Sequence, residues 1–328
     1  MRVVAGDIGG TSTRLAWFET EGGVLTLCAE ARFPSGEFGS LTEIVERFAR
    51  EAGVIAQGAC FGIAGPVRGG RVATPNLPWT VEGEELATAL GLESVTLIND
   101  LEANAYGVPL LAKGDLHLLN HGNVDPMGNI AVISAGTGLG EVLAFRDGDG
   151  YRPIACEAGH ADFAPRNELE TELLLYLRDE HGRVSYERLL SGPGLRNIYR
   201  FFRDVRKIPE SSGVAGEMRS GDPSAAISRA ALAGSCPLCV QALELFVSLY
   251  GAEAGNAALR YLATGGLYLG GGIAPKILEA LKEGTFMRSF TAKGRLSPLL
   301  EAIPVKVILN DRAALLGAGR CAALRGLN

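Results

Sequence analysis

The apolar positions change period several times along the first hundred residues. Val3-Val4-Ala5-Gly6 is a short apolar run, Asp7-Ile8-Gly9-Gly10-Thr11 interrupts it, and Arg14-Leu15-Ala16-Trp17-Phe18 resumes it; Gly22-Gly23 then leads into a third run over 24–33. Short runs parted by glycine turns predict three strands joined by tight connections. From Leu41 the spacing lengthens: Leu41, Ile44, Val45, Phe48, Ala49 and Ala52 fall on one helical face. Ser40 is placed to cap that helix, Glu43 to complete a capping box and Gly53 to stop it. Strands are expected again at 59–64 and 95–98, with a helix at about 82–90 between them. Three meandering strands followed by alternating helix and strand predict a mixed sheet with helices on its faces.

The second part of the chain opens in the same way. A strand over 129–134, the turn Ala135-Gly136-Thr137-Gly138 and a strand over 140–145 echo the N-terminal pattern, Gly136-Thr137 answering Gly10-Thr11. The echo suggests a duplicated domain. Helical periodicity dominates from 168 to about 264, with stripes such as Leu169, Leu173, Tyr176 and Leu177, and Leu195, Ile198, Tyr199 and Phe202. The polar, glycine-bearing stretch 209–222 reads as a surface loop, and Asp222 as the cap of a helix opened by Pro223. Leu267-Tyr268-Leu269 is a strand ending in Gly270-Gly271-Gly272, and Pro275 opens the next helix. Asp311 is expected to cap a C-terminal helix reaching about Leu324.

Composition narrows the class without deciding it. With 328 residues, 47% of them hydrophobic and 21% charged, the chain is an ordinary globular protein of about two domains. A formal net charge of −6 with no basic cluster argues against nucleic acid as a partner. No run reaches the ~18 apolar residues of a membrane span, and no leader pattern precedes the first strand, so the cytoplasm is the expected compartment. Six cysteines lie mostly in apolar runs. Cys236 and Cys239 form a lone C-x-x-C, which lacks the second pair that a zinc site needs; two thiols at a helix start, or a redox pair, are the readings left.

The candidate chemistry sits at strand ends. Gly9-Gly10-Thr11, Gly136-Thr137-Gly138 and Gly270-Gly271-Gly272 can let backbone N–H groups approach phosphate oxygens, with Thr11 and Thr137 adding hydroxyls. Asp7 stands where a carboxylate can hold Mg²⁺ or its waters. Neither a P-loop nor a Rossmann fingerprint is present. Asn99-Asp100 follows the strand at 95–98: Asp100 there can take a proton from a substrate hydroxyl, or can cap a helix over 101–106. Glu157 and His160, in Glu157-Ala158-Gly159-His160, offer hydrogen-bonding groups suited to vicinal sugar hydroxyls, or form a structural turn. Glu187 by itself reads as a first-turn helix acid.

Taken together, these motifs resemble one family. Gly6-Asp7-Ile8-Gly9-Gly10-Thr11 resembles the first phosphate turn of the hexokinase, actin and Hsp70 superfamily, and Ser134-Ala135-Gly136-Thr137-Gly138-Leu139-Gly140 the second. Ile98-Asn99-Asp100, Glu157-Ala158-Gly159-His160-Ala161-Asp162-Phe163-Ala164-Pro165, Glu187-Arg188-Leu189-Leu190-Ser191-Gly192-Pro193-Gly194-Leu195 and Gly270-Gly271-Gly272-Ile273-Ala274-Pro275 are similar to segments of bacterial glucokinases, in the family's order and across nearly the whole chain. The resemblance implies an α/β protein of two actin-like (RNase H-like) ATPase domains with mixed sheets around a central cleft: 1–109 plus 311–328 as the small domain and 110–310 as the large one. It implies ATP-dependent phosphorylation of glucose at the 6-hydroxyl, with Asp100 as base. Asn99, Asp100, Glu157, His160, Glu187 and Asn76 would bind the sugar. Asp7, Gly9, Gly10, Thr11, Gly136, Thr137, Gly138, Gly271 and Gly272 would bind the nucleotide, with Asp7 facing Mg²⁺ through water, and the family usually forms homodimers. A kinase for another hexose is the alternative, and a nucleotide-gated interaction protein of the actin or Hsp70 kind a more distant one. Ala161-Asp162-Phe163-Ala164 stands where the related ROK family has a cysteine-rich zinc motif, which fits the zinc-free branch.

Overall fold

The structure, a computed structural model, describes residues 1–74, 77–148 and 150–326. Numbered along the chain, the strands are β1 (Arg2–Ile8), β2 (Ser12–Glu21), β3 (Val24–Pro34), β4 (Gly58–Ile63), β5 (Arg71–Ala73), β6 (Thr80–Glu82), β7 (Thr96–Asn99), β8 (Leu116–Asn120), β9 (Ile130–Ala135), β10 (Leu139–Asp147), β11 (Gly150–Ala155), β12 (Gly266–Gly270) and β13 (Val305–Ile308). The helices are α1 (Leu41–Ala52), α2 (Gly83–Leu90), α3 (Asp100–Gly107), α4 (Glu168–His181), α5 (Gly192–Asp204), α6 (Ser212–Ser220), α7 (Pro223–Leu232), α8 (Pro237–Tyr261), α9 (Leu278–Lys282), α10 (Thr285–Thr291), α11 (Ser297–Glu301) and α12 (Ala313–Arg325). Two compact units emerge: Met1–Asp115 with Asp147–Ala155 and Asn310–Asn328, and Leu116–Arg146 with Cys156–Leu309. Residues 110–115, 147–155 and Asn310, which the resemblance puts in the large domain, cluster with the first unit; chain segments that return to a unit leave no compositional mark.

The first unit is built on a sheet in the order β3-β2-β1-β4-β7, antiparallel between β1, β2 and β3 and parallel from β1 through β4 to β7. The mixed sheet follows the apolar pattern of the sequence. On one face Val4, Ile8, Leu15, Phe61 and Ile63 pack with Leu41, Ile44, Val45 and Phe48 of α1. Ser40 Oγ accepts from Glu43 N at 3.2 Å, but the Glu43 carboxylate accepts from Gly39 N rather than from the cap residue itself; Gly53 ends the helix at φ +61°. On the other face Val3, Ala5, Ala16, Phe18 and Cys60 meet Ala103 of α3 and Leu315, Ala318 and Cys321 of α12. Strand alternation puts Asp7 on this second face, with Val3 and Ala5. Asp311 does not cap the C-terminal helix: α12 begins at Ala313, its N-cap is Arg312 with no side-chain cap bond, and the Asp311 carboxylate is engaged by Arg14 at 2.6 Å instead. A buried guanidinium outcompetes helix amides for a carboxylate because that hydrogen bond is charge-assisted on both sides.

The second unit contributes strands in the order β10-β9-β12-β13-β8, parallel among β9, β12 and β13 and antiparallel at both ends. Every residue of β9 is buried, as a strand covered on both faces requires. The long helix α8 lies at the centre, with Leu238, Leu243, Phe246 and Tyr250 in a core shared with Leu195, Ile198 and Tyr199 of α5. Cys236 occupies the N-cap position of α8 without a side-chain capping bond and Cys239 sits in its first turn, both buried as free thiols. The loop expected at 209–222 is in part a helix: α6 is held by the burial of Val214 and by packing of Met218, which outweigh the low propensity of Gly213 and Gly216.

One polar cluster is enclosed in this unit. Glu141 on β10 and Glu253 on α8 are 1% and 0% exposed. Arg260 reaches Glu141 at 3.4 Å and Glu253 at 2.8 Å, and Asn256 donates to Glu253 at 2.8 Å. Burial, then the Glu253 charge, pushes the Glu141 carboxyl up to about 8, with Arg260 opposing. A carboxyl raised in the folded state adds stability below its unfolded value, and that stability is lost as pH rises toward 8. The Tm of the parent is therefore expected to fall between pH 5 and pH 8 more steeply than that of Glu141→Gln; parallel Tm–pH curves would refute a proton held at Glu141.

Candidate active site

In the first unit the chemistry gathers at the carboxyl ends of β1 and β7. Asp7 pairs in register with Arg14 of β2 and with Gly62 of β4. Gly62 lets α3 approach: a Cβ there would stand 2.7 Å from the Ala103 Cβ and 3.7 Å from the Asp100 Cα. The start of α3 settles which residue caps it. Asn99 is the N-cap, its Oδ1 accepting from Leu101 N at 2.9 Å, while Glu102 accepts from Asn99 N at 2.9 Å in a full capping box. Asp100 is thus the first helical residue rather than the cap, with Oδ1 3.0 Å from Leu101 N. The Asn99 amide also donates to Gly65 O at 3.1 Å, which orients the side chain firmly.

The electrostatics of this corner are those of crowded acids. Burial first, then the charges of Asp100 and Asp311, push the Asp7 carboxyl up to about 6, while Arg14 pulls it down. Arg14 is 7% exposed and donates to the Asp311 carbonyl at 3.0 Å and its carboxylate at 2.6 Å, with Glu30 3.6 Å away. A carboxylate pressed toward a second one is relieved by a hard divalent cation, so this donor set fits Mg²⁺. The first glycine turn is closed by Gly9 N on Ser12 O and braced by buried Ser35, which donates to Gly9 O at 2.8 Å and shares a hydrogen bond with Thr13 at 3.0 Å; Thr11 is exposed.

In the second unit the other two glycine turns come together. Gly136 N bonds Gly138 O at 2.9 Å, and Ile273 N bonds Ala135 O at 3.2 Å. Gly271 has φ +78°, and a Cβ there would run into the Ala135 backbone, so the close approach demands glycine. The amino end of α5 supports the cradle: Gly192 N donates to Gly136 O at 2.8 Å, and Ser191 caps the helix through Gly194 N at 3.0 Å. Ser134 Oγ, beside Gly270, is buried with no hydrogen-bond partner among the described residues. A Cβ on Gly136 or Gly272 would meet nothing within 4 Å, and Thr137 and Gly272 are exposed. Glycine N–H groups, a helix amino end and an orphaned hydroxyl are donors able to receive the oxygens of an anion such as a phosphate.

The remaining expected residues lie nearby in the same unit. Glu157 precedes a single turn over Ala158–His160 that His160 closes, and both side chains are exposed. His160 Nδ1 is 3.9 Å from Glu187 Oε1, and the other Glu187 oxygen accepts from Leu139 N at 3.0 Å. Arg183 donates to the His160 carbonyl and is paired with Asp162 at 2.6 Å, fixing the turn from outside. Asn76 lies outside the described residues.

Comparison with known proteins decides the family. The family model described as Glucokinase matches residues 4–325. The chain belongs to the glucokinase family. The glucokinase of Nostoc punctiforme is 45% identical to it over 98% of both chains. Among solved structures, the glucokinase from an Antarctic psychrotroph is 32% identical and superposes with a TM-score of 0.86 over 98% of this chain and 99% of that one. A ROK family glucokinase from Streptomyces griseus, solved with glucose and AMPPNP, shares the fold at a TM-score of 0.66 and 20% identity, over 99% and 100% of the chains. Within this glucokinase-family fold, sequence spacing gives no site role to Arg14, Ser35 or Arg183, and gives Asp311 only that of a helix cap. Arg14 carried one available signal, an arginine in an otherwise apolar strand directly after the first glycine turn.

Proposed function

We propose that this chain is a glucokinase that transfers the γ-phosphoryl group of ATP to the 6-hydroxyl of glucose. The observation that carries the reading is the 45% identity to a glucokinase along 98% of both chains; the geometry supports it by placing Asp100 in the first turn of α3, with capping delegated to Asn99. Phosphoryl transfer asks a protein mainly to position the reactants and stabilise spreading charge. Asp100 orients the 6-hydroxyl and receives its proton as the O–P bond forms. Asn99, Glu157, His160 and Glu187 hold the other hydroxyls, while the turns at Gly9–Thr11, Gly136–Gly138 and Gly271–Gly272 cradle the nucleotide. When bound with ATP, Mg²⁺ supplies charge neutralisation on the phosphates, and Asp7 is the residue that would hold it through water. In this reading water, which competes with the 6-hydroxyl, is kept from the bound sugar, and the enzyme works as a cytoplasmic homodimer, as the family resemblance implies.

The test is an assay of ADP release with MgATP across a panel of hexoses. Glucose-dependent release yielding glucose 6-phosphate is expected. Release that ignores every sugar would move the chain to the nucleotide-gated interaction class.

A further inference from the structure

Glu187 has two neighbours of different kinds. One oxygen accepts the Leu139 amide of the second glycine turn at 3.0 Å, and the other stands 3.9 Å from His160. The fit on the turn side is close: a Cβ on Gly138 would lie 2.5 Å from Glu187 Oε2, so a larger residue there would push this flexible carboxylate off the turn. The same residue is tied to the support of the turn, because Ser191 Oγ donates to the Glu187 carbonyl at 2.8 Å while capping α5, whose Gly192 N holds Gly136 O. The turn that cradles phosphate and the histidine side of the sugar site are therefore bridged by one carboxylate.

We propose that Glu187 energetically couples sugar occupancy to the nucleotide turn, as a positioning residue: a sugar hydroxyl bound at its His160-facing oxygen fixes the carboxylate, and the fixed carboxylate orders the 138–139 backbone that receives phosphate. The inference rests on the kinase reading for the identity of the two ligands. Coupling between two sites is reciprocal and is read as a ratio of affinities. A change that merely weakens both ligands leaves that ratio untouched, so a purely structural role does not move it.

The experiment measures, by calorimetry, the Kd of a non-hydrolysable ATP analogue with Mg²⁺, with and without saturating glucose. The parent protein is compared with Gly138→Ala, which crowds the carboxylate off the turn, and with Glu187→Asp, which is one methylene too short to reach both neighbours. Glucose is expected to tighten nucleotide binding by about fivefold or more in the parent and by less than about twofold in each folded variant. Should Gly138→Ala fail to fold, Glu187→Asp decides. A parent ratio near one, or a variant that keeps the parent ratio, overturns the coupling. A parent that binds glucose and nucleotide yet transfers no phosphoryl group overturns the kinase reading instead and leaves the coupling test standing.

Discussion

Asp100→Asn is expected to lower kcat by about 10²–10⁴-fold, the range that a positioned base contributes, while glucose binding stays within a few-fold of the parent. The substitution is nearly isosteric, and an amide oxygen can still take the 3.0 Å contact from Leu101 N. The cap of α3 is untouched, because Asn99 and Glu102 form it. What is lost is the capacity to accept a proton. The loss corresponds to about 3–5 kcal/mol of transition-state stabilisation, at ~1.4 kcal/mol per tenfold. Steady-state turnover and calorimetric glucose binding, measured together, separate the roles. Turnover near the parent rate would reduce Asp100 to a helix residue; loss of glucose binding with unchanged turnover at saturation would make it a binding group only.

Gly317→Ala is expected to destabilise the protein by about 3 kcal/mol, the upper end of what overpacking usually costs, and to lower turnover as well. Gly317 on α12 and Gly107 on α3 let these helices cross at backbone distance. A Cβ on Gly317 would penetrate the Ala103 carbonyl and lie 2.6 Å from Gly107 N, and a Cβ on Gly107 would penetrate the Ala313 carbonyl. Backbone atoms cannot swing aside as side chains do, so the helices must separate. Because α3 opens with Asp100, its displacement also moves the proposed base, and misplacement of about 1 Å can cost a hundredfold in rate. The control is Gly216→Ala in α6, where a Cβ meets nothing within 4 Å and Tm should hold or rise, since alanine favours helix over glycine. Equal Tm values for the two variants would refute the backbone-contact account.

The local patterns of the chain determined most of its elements without help from the fold. Short apolar runs between glycine turns placed β1–β4, and period-3.6 apolar spacing placed α1 and the helical region of the second unit, because burial is a local constraint written directly into residue spacing. Glycine turns at strand ends marked Gly9–Thr11, Gly136–Gly138 and Gly270–Gly272, because the conformations and close approaches they need exclude most other residues. The motif order along the chain pointed to the family. Competition between partners distant in sequence was decided only by the tertiary structure. Asp311 looked like a helix cap until Arg14, nearly three hundred positions away, claimed its carboxylate. Asp100 looked like a cap until Asn99 proved to hold that role, with Glu102 completing the box. The segment read as loop became α6 once Val214 found a core to enter. The enclosed Glu141–Glu253 pair and the contact of Glu187 with the Leu139 amide have no local signature. A side chain's hydrogen-bond partner and its dielectric surroundings are properties of the packed chain, and sequence spacing constrains them only where the partners are neighbours.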